Sequence, residues 1–86
     1  MKKVVKFYAT WCGPCRMYAK TWDKITPKYD DQVEFLNIDV ENDPTGLSKK
    51  YQVSSIPMTV LIKEDGTEIK KTGRLSVEEL EELILS

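Results

Sequence analysis

The sequence predicts an α/β fold, a four-stranded mixed sheet flanked by helices in the order β-α-β-α-β-β-α. Three observations carry that prediction. The β-rich run at residues 4–9, a helical stripe of Met17, Tyr18, Thr21, Trp22 and Ile25, and a second β-rich run at 33–40 form a βαβ unit. The two strands of such a unit are parallel, with a right-handed crossover. Glu64-Asp65-Gly66-Thr67 is a hairpin signal between strand-like runs at 58–63 and 68–72, which are therefore antiparallel. Ser76 with Glu79 three residues later is a capping box, opening a last helix whose apolar face is Val77, Leu80, Leu83 and Ile84.

Each element has a local reason. The run at 4–9 is apolar apart from Lys6, as expected of a strand covered on both faces. Pro14 suits the first turn of the helix that follows, where its missing N–H is no loss. Pro27 is expected to kink or end that helix near Thr26. Asn42-Asp43-Pro44 is a turn, 45–51 a short helix, and 53–57 an extended connection into the third strand. Gly66 is free to take positive φ in the hairpin, and Gly73 breaks the fourth strand. With no repeat, low-complexity tract or linker, the expectation is one domain over residues 1–86.

Composition excludes several function classes. Domains run to about 100–150 residues, so 86 suffice for only one. A chain of this size buries about 60–65% of its unfolded surface. Thirteen basic and fourteen acidic residues leave a net charge of −1, with no basic excess for nucleic acid or an anionic membrane. The apolar run Met58-Thr59-Val60-Leu61-Ile62 is far below the ~20 residues of a membrane span. Met1-Lys2-Lys3 leads into Val4-Val5-Lys6-Phe7, too interrupted for the apolar region of a signal peptide, so a cytoplasmic monomer is expected. No histidine is present, which removes Ser-His-Asp and Cys-His chemistry and all imidazole metal ligands. The two cysteines, Cys12 and Cys15, cannot by themselves close the roughly four-ligand sphere of a structural zinc, so no metal is expected. A staple across a four-residue ring contributes only about 2 kcal/mol. These thiols are better placed for exchange than for architecture.

The chemistry is concentrated in Trp11-Cys12-Gly13-Pro14-Cys15 at a strand-to-helix junction. A cysteine at a helix N-terminus sits near unpaired N–H groups and the positive end of the macrodipole, both of which favour the nucleophilic thiolate. Cys12 is expected to be the exposed nucleophile. Cys15, one turn further in and more buried, would attack the mixed disulfide at Cys12 and release the reduced substrate.

The chain resembles the thioredoxin family. WCGPC is that family's active-site motif, preceded here by Phe7-Tyr8-Ala9-Thr10. Leu36-Asn37-Ile38-Asp39 matches the second parallel strand, Ile56-Pro57 the segment with the cis-proline, and Gly66 and Gly73 the hairpin glycine and the glycine before the last helix. The resemblance covers essentially the whole chain and implies a minimal thioredoxin-like fold without the N-terminal strand and helix of a full thioredoxin. It implies a cis-Pro57 against the cysteine pair, supported by Gly13 and Pro14. It further implies a docking surface of Trp11, Ile56, Pro57 and Gly73, with the Ser55 and Ile56 backbone pairing to an extended substrate. The implied activity is reduction of disulfides in client proteins by a redox-active Cys12-Cys15 disulfide. The resemblance further implies that no cofactor is bound and that electrons come from an NADPH- and flavin-dependent thioredoxin reductase. A glutathione-coupled activity, a thiol oxidase or isomerase, and a non-enzymatic binding subunit remain as alternatives.

Four positions depart from the family pattern. Lys6 stands where the family has a buried aspartate that serves the proton of the resolving thiol, and Phe35 where it has a lysine. Lys6 either points to the sulfurs, favouring both thiolates and a more oxidising couple, or snorkels to solvent. Lys20 replaces a helix-kinking proline, adding positive potential near the docking surface or lying on a solvated face. Met58 follows the proline in place of a small hydroxyl residue and lines either the substrate groove or the core. Trp22 is expected in the core, and Glu78, Glu79, Glu81 and Glu82 on a solvated helix face.

Overall fold

Alternation along the first strand divides the molecule into two layers. In the computed structural model, which describes residues 1–86, β1 (Lys2–Tyr8) sends Val4 and Lys6 to one side and Val5 and Phe7 to the other, all four buried. The chain continues through α1 (Gly13–Tyr29), β2 (Val33–Asp39), α2 (Leu47–Lys50), β3 (Met58–Ile62), β4 (Glu68–Thr72) and α3 (Val77–Leu85). The strands lie in the order β2-β1-β3-β4. β1 is parallel to β2 and antiparallel to β3, and β4 is antiparallel to β3. This is the mixed four-stranded sheet that the sequence predicts.

Helices α1 and α3 cover one face of the sheet. Tyr18, Trp22 and Ile25 of α1 pack with Leu80, Leu83 and Ile84 of α3 on Val4, Val33 and Leu61. Each such side chain contributes about 1.5–3 kcal/mol by leaving water. The other face carries Val5, Phe7, Ile38, Met58 and Val60, met by Tyr51 just beyond the single turn of α2. Met58 is therefore a core residue and not part of a substrate groove. The hairpin between β3 and β4 closes through Lys63 N–H to the Thr67 carbonyl at 2.8 Å, with Gly66 at φ 91°.

Several boundaries differ from the sequence reading, each for a tertiary reason. The strand predicted at 4–9 begins at Lys2, because β2 supplies a partner from Lys2 and β3 from Lys3. The helix predicted at 45–51 shrinks to Leu47–Lys50, since Gly46 at φ 75° bars an earlier start. Asp43 closes this turn, accepting from the N–H and hydroxyl of Ser48 and from Thr45, which holds its carboxyl well below the usual carboxylate range. Pro27 does not stop α1, which continues to Tyr29. Ile25 is buried, the Tyr29 hydroxyl donates to Glu81 at 2.7 Å, and Lys28 pairs with the same carboxylate at 2.9 Å. These contacts with α3 outweigh the cost of a proline in the last turn. Glu81 thus belongs to the α1–α3 contact rather than to a solvated acidic face. The capping box forms as expected, with Ser76 N–H to Glu79 at 2.9 Å and Glu79 N–H to Ser76 at 3.1 Å.

The Tyr18 hydroxyl and Thr59 Oγ1, 2.7 Å apart, form a fully buried polar link between α1 and the central strand β3. Removing one partner leaves the other unsatisfied, so Tyr18→Phe and Thr59→Val are each expected to cost about 1–3 kcal/mol. The double variant should cost clearly less than the sum. A double-mutant cycle by chemical denaturation checks this, and strict additivity would show that the pair does not interact.

Candidate functional site

The site is built where β1 runs out and α1 begins. The Ala9 carbonyl accepts from Cys12 N–H at 3.2 Å, and Val40 N–H, past the end of β2, donates to the Tyr8 carbonyl at 2.9 Å. Cys12 is extended (φ −82°, ψ 112°) and forms the N-cap of α1, its sulfur accepting from Cys15 N–H at 3.2 Å. Pro14 occupies the first turn, where its missing N–H leaves nothing unpaired. Cys12 and Cys15 form a disulfide, with Cα atoms 5.2 Å apart. Both are buried, at 5% and 4% exposure. The expected contrast between an exposed Cys12 and a buried Cys15 is absent in this oxidised state. The bond draws the Cys12 sulfur over the first helical turn, and Tyr8, Val40 and Ile56 pack around the pair.

The facing wall comes from the segment before β3. Ile56-Pro57 is a cis peptide, and the Cys12 sulfur lies 4.0 Å from the Ile56 carbonyl oxygen. Gly73, at φ 92°, donates its N–H to the Pro57 carbonyl at 2.8 Å, which fixes the end of β4 beside the proline. No backbone hydrogen bond reaches the N–H or C=O of Ser55 or Ile56. Trp11 is 64% exposed, Ile56 half-buried and Ser55 exposed, whereas Pro57 is fully buried beneath them. The apolar rim is therefore Trp11 and Ile56, with Pro57 as its floor. Gly13 has open space where a Cβ would stand, and nothing in the structure requires glycine there.

A family model for thioredoxin matches residues 1–86. The chain belongs to the thioredoxin family. It is 41% identical over 69 residues to the thioredoxin of Staphylococcus epidermidis, covering 80% of this chain and 64% of that protein. The chain thus spans less than two thirds of the length of such relatives. Among solved structures, oxidised mitochondrial thioredoxin 3 of Saccharomyces cerevisiae superposes with a TM-score of 0.81 at 35% identity, over 99% of this chain and 78% of that one. A malaria-parasite thioredoxin-2, described as a component of protein secretion machinery, gives 0.88 at 29% identity, over 99% and 82%.

In this member of the thioredoxin family, Lys6 does not take the solvated position expected as one of its two alternatives. It is only 6% exposed, so it does not snorkel. Its ammonium lies 4.7 Å from the centre of the Trp22 ring and 5.8 Å from that of Tyr18, residues two turns and one turn further along α1 than Cys15. The charge lies against aromatic faces. The Trp22 indole N–H beside it is buried without a hydrogen-bond partner. Burial lowers the Lys6 pKa, partly opposed by the nearby charge of Asp23. A cavity of 320 Å3 lies behind Cys15, bounded by Lys6, Tyr8, Thr10, Arg16 and Asn37 among others. Lys20 is on the exposed face of α1.

Sequence reasoning missed Arg16, Ala9 and Val40. The Arg16 guanidinium donates twice to the Thr10 carbonyl, at 3.3 and 3.2 Å, bracing the loop that carries Trp11 and Cys12. Its position four residues after Cys12 was the available signal. Ala9 and Val40 pack on the cysteines from the ends of two strands, which no local pattern connects. No group of three or more His, Cys, Asp or Glu side chains is placed to hold a metal ion.

Lys6 generates a prediction whose sign follows from its lowered pKa. The folded state holds this proton less tightly than the unfolded chain does. The resulting deficit is complete below the folded pKa and fades as pH rises toward the ordinary value of 10.5. Lys6→Met should therefore be more stable than the wild type by about 1 kcal/mol near pH 7, with the gap closing toward pH 10.5. Denaturant titrations of both proteins across this range decide the matter, and a pH-independent gap would exclude the charge as its cause.

Proposed function

We propose that the chain is a dithiol–disulfide oxidoreductase that reduces disulfides of client proteins, with Cys12 as nucleophile and Cys15 as resolving thiol. The observation that carries this reading is the Cys12-Cys15 disulfide at the N-terminus of α1, facing unpaired backbone at Ser55 and Ile56. In the reduced protein, the N–H that Cys12 accepts and the helix terminus stabilise its thiolate, and helix-N-terminal cysteines titrate as low as about 3.5–7.5. An extended client segment adds to the free backbone of Ser55 and Ile56, with Trp11 and Ile56 as the apolar rim, Pro57 and Gly73 as its support, and Gly13 and Pro14 as the spacer. The Cys12 thiolate attacks one client sulfur, and the other leaves as a thiolate. Cys15, deprotonated, then attacks the Cys12 sulfur, which expels the second client thiolate and closes the Cys12-Cys15 bond. Two electrons pass to the client. A donor, which the family suggests is an NADPH- and flavin-dependent thioredoxin reductase, returns them; glutathione is the alternative donor. The protein works as a monomer in the cytoplasm, where the poise keeps thiols reduced, and needs no bound cofactor. No helix is long and apolar enough to cross a membrane.

Cys15→Ser should accumulate mixed disulfides with client proteins, while Cys12→Ser should form none. Non-reducing gels followed by mass spectrometry read both outcomes, and a Cys15→Ser protein free of adducts would remove the assignment of Cys12. The equilibrium potential of the couple should fall below the glutathione poise. A value at or above that poise would reverse the proposed direction of electron flow.

A further inference from the structure

The exposed side of α1 carries a charge pattern that the redox chemistry does not use. Arg16, Lys20, Lys24 and Lys28 recur every four residues, one per turn, and Asp23 is the helix's only acid. Lys28 is paired with Glu81, but Arg16, Lys20 and Lys24 have no ion-pair partner. Lys20 and Lys24 line a groove of 430 Å3 between α1 and the segment joining β4 to α3. Its far wall adds Arg74, also unpaired, and Leu75, while Met17 lines it at 47% exposure. The acid in the groove, Glu79, is committed to the capping box with Ser76, and Asp23 acts on the buried Lys6. The groove therefore presents three cations, Lys20, Lys24 and Arg74, against the single carboxylate of Glu79, a local positive excess beside an exposed methionine. It begins at the redox site, because Arg74 follows Gly73, whose N–H is bonded to Pro57.

We infer that this groove is a docking surface for the acidic flank of a client, an extended segment carrying Asp or Glu residues beyond its reactive cysteine. This rests on the proposed exchange at Cys12. The spacing follows from helix geometry. Lys20 and Lys24 are about 12 and 18 Å along the axis from Cys12. An extended chain covers about 3.3 Å per residue, so the acids belong about four to six residues from the client cysteine. The chain as a whole has a net charge of −1, so attraction of an acidic client depends on this local stripe and not on overall charge.

The test uses three synthetic disulfide-linked peptides, identical except for three Glu, three Gln or three Lys residues placed four to six positions from the cysteine. Reduced protein is mixed with each at low ionic strength, and second-order rate constants are measured. The Glu peptide should react about tenfold faster than the Gln peptide, as expected for a few exposed charge contacts. The advantage should vanish in 1 M salt, where the screening length is about 3 Å. Lys20→Glu/Lys24→Glu should reverse the order, so that the Lys peptide reacts fastest. Equal rates at low salt, or an order unchanged in the double variant, would overturn the docking surface. If no peptide is reduced, the proposed activity fails instead. Fluorescence anisotropy of a Cys→Ser Glu peptide then still reads the groove, with salt-sensitive binding supporting it and its absence overturning it.

Discussion

The structure depends on one constraint, that a sulfur of the Cys12-Cys15 disulfide is also the cap of helix α1. Cys12 ends the extended chain leaving β1, and its sulfur accepts the Cys15 N–H that would otherwise be unpaired at the start of α1. Ala9 fixes its backbone, and Tyr8, Val40 and Ile56 enclose its side chain. The electrostatic stabilisation of a thiolate and the stability of the first helical turn are therefore one arrangement. The Gly73–Pro57 hydrogen bond acts from the other side, holding the end of β4 against the proline that follows Ile56, whose carbonyl lies 4.0 Å from the Cys12 sulfur.

Charge is divided unevenly around this centre. Helix α1 is basic on its exposed face, and α3 bears Glu78, Glu79, Glu81 and Glu82. Two of those carboxylates are committed, Glu79 to its own N-cap and Glu81 to Lys28 and Tyr29 across the helix pair. Their pKa values are lowered by those hydrogen bonds. In the core, Lys6 lies over Trp22, with the nearby charge of Asp23 only partly opposing its burial. A buried charge of this kind is tolerated because the aromatic faces replace part of its lost hydration.

Much of the fold was legible because its signals are local. Gly66 in the hairpin, Ser76 with Glu79 at the start of α3 and the apolar stripe of α1 depend on residues within a few positions of one another. The misreadings fell where distant contacts decide. Pro27 has a strong local preference to end a helix, yet packing of Ile25 and Tyr29 carries α1 past it. Glu81 reads as one of four solvated acids until α1 is set beside α3. Lys6 had two plausible local fates, and burial against the rings of Trp22 and Tyr18 excluded the solvated one.

The sequence by itself determined the order of elements, the parallel and antiparallel pairings, and the placement of two thiols one turn apart at a helix N-terminus. Periodicity, turn chemistry and capping act over a few residues, so they are written in the chain. Tertiary structure alone decided which groups surround those thiols, how deeply they lie, which acids are paired and where the Lys6 charge rests. Those outcomes depend on side chains many residues apart meeting across the sheet, and no local pattern encodes such a meeting.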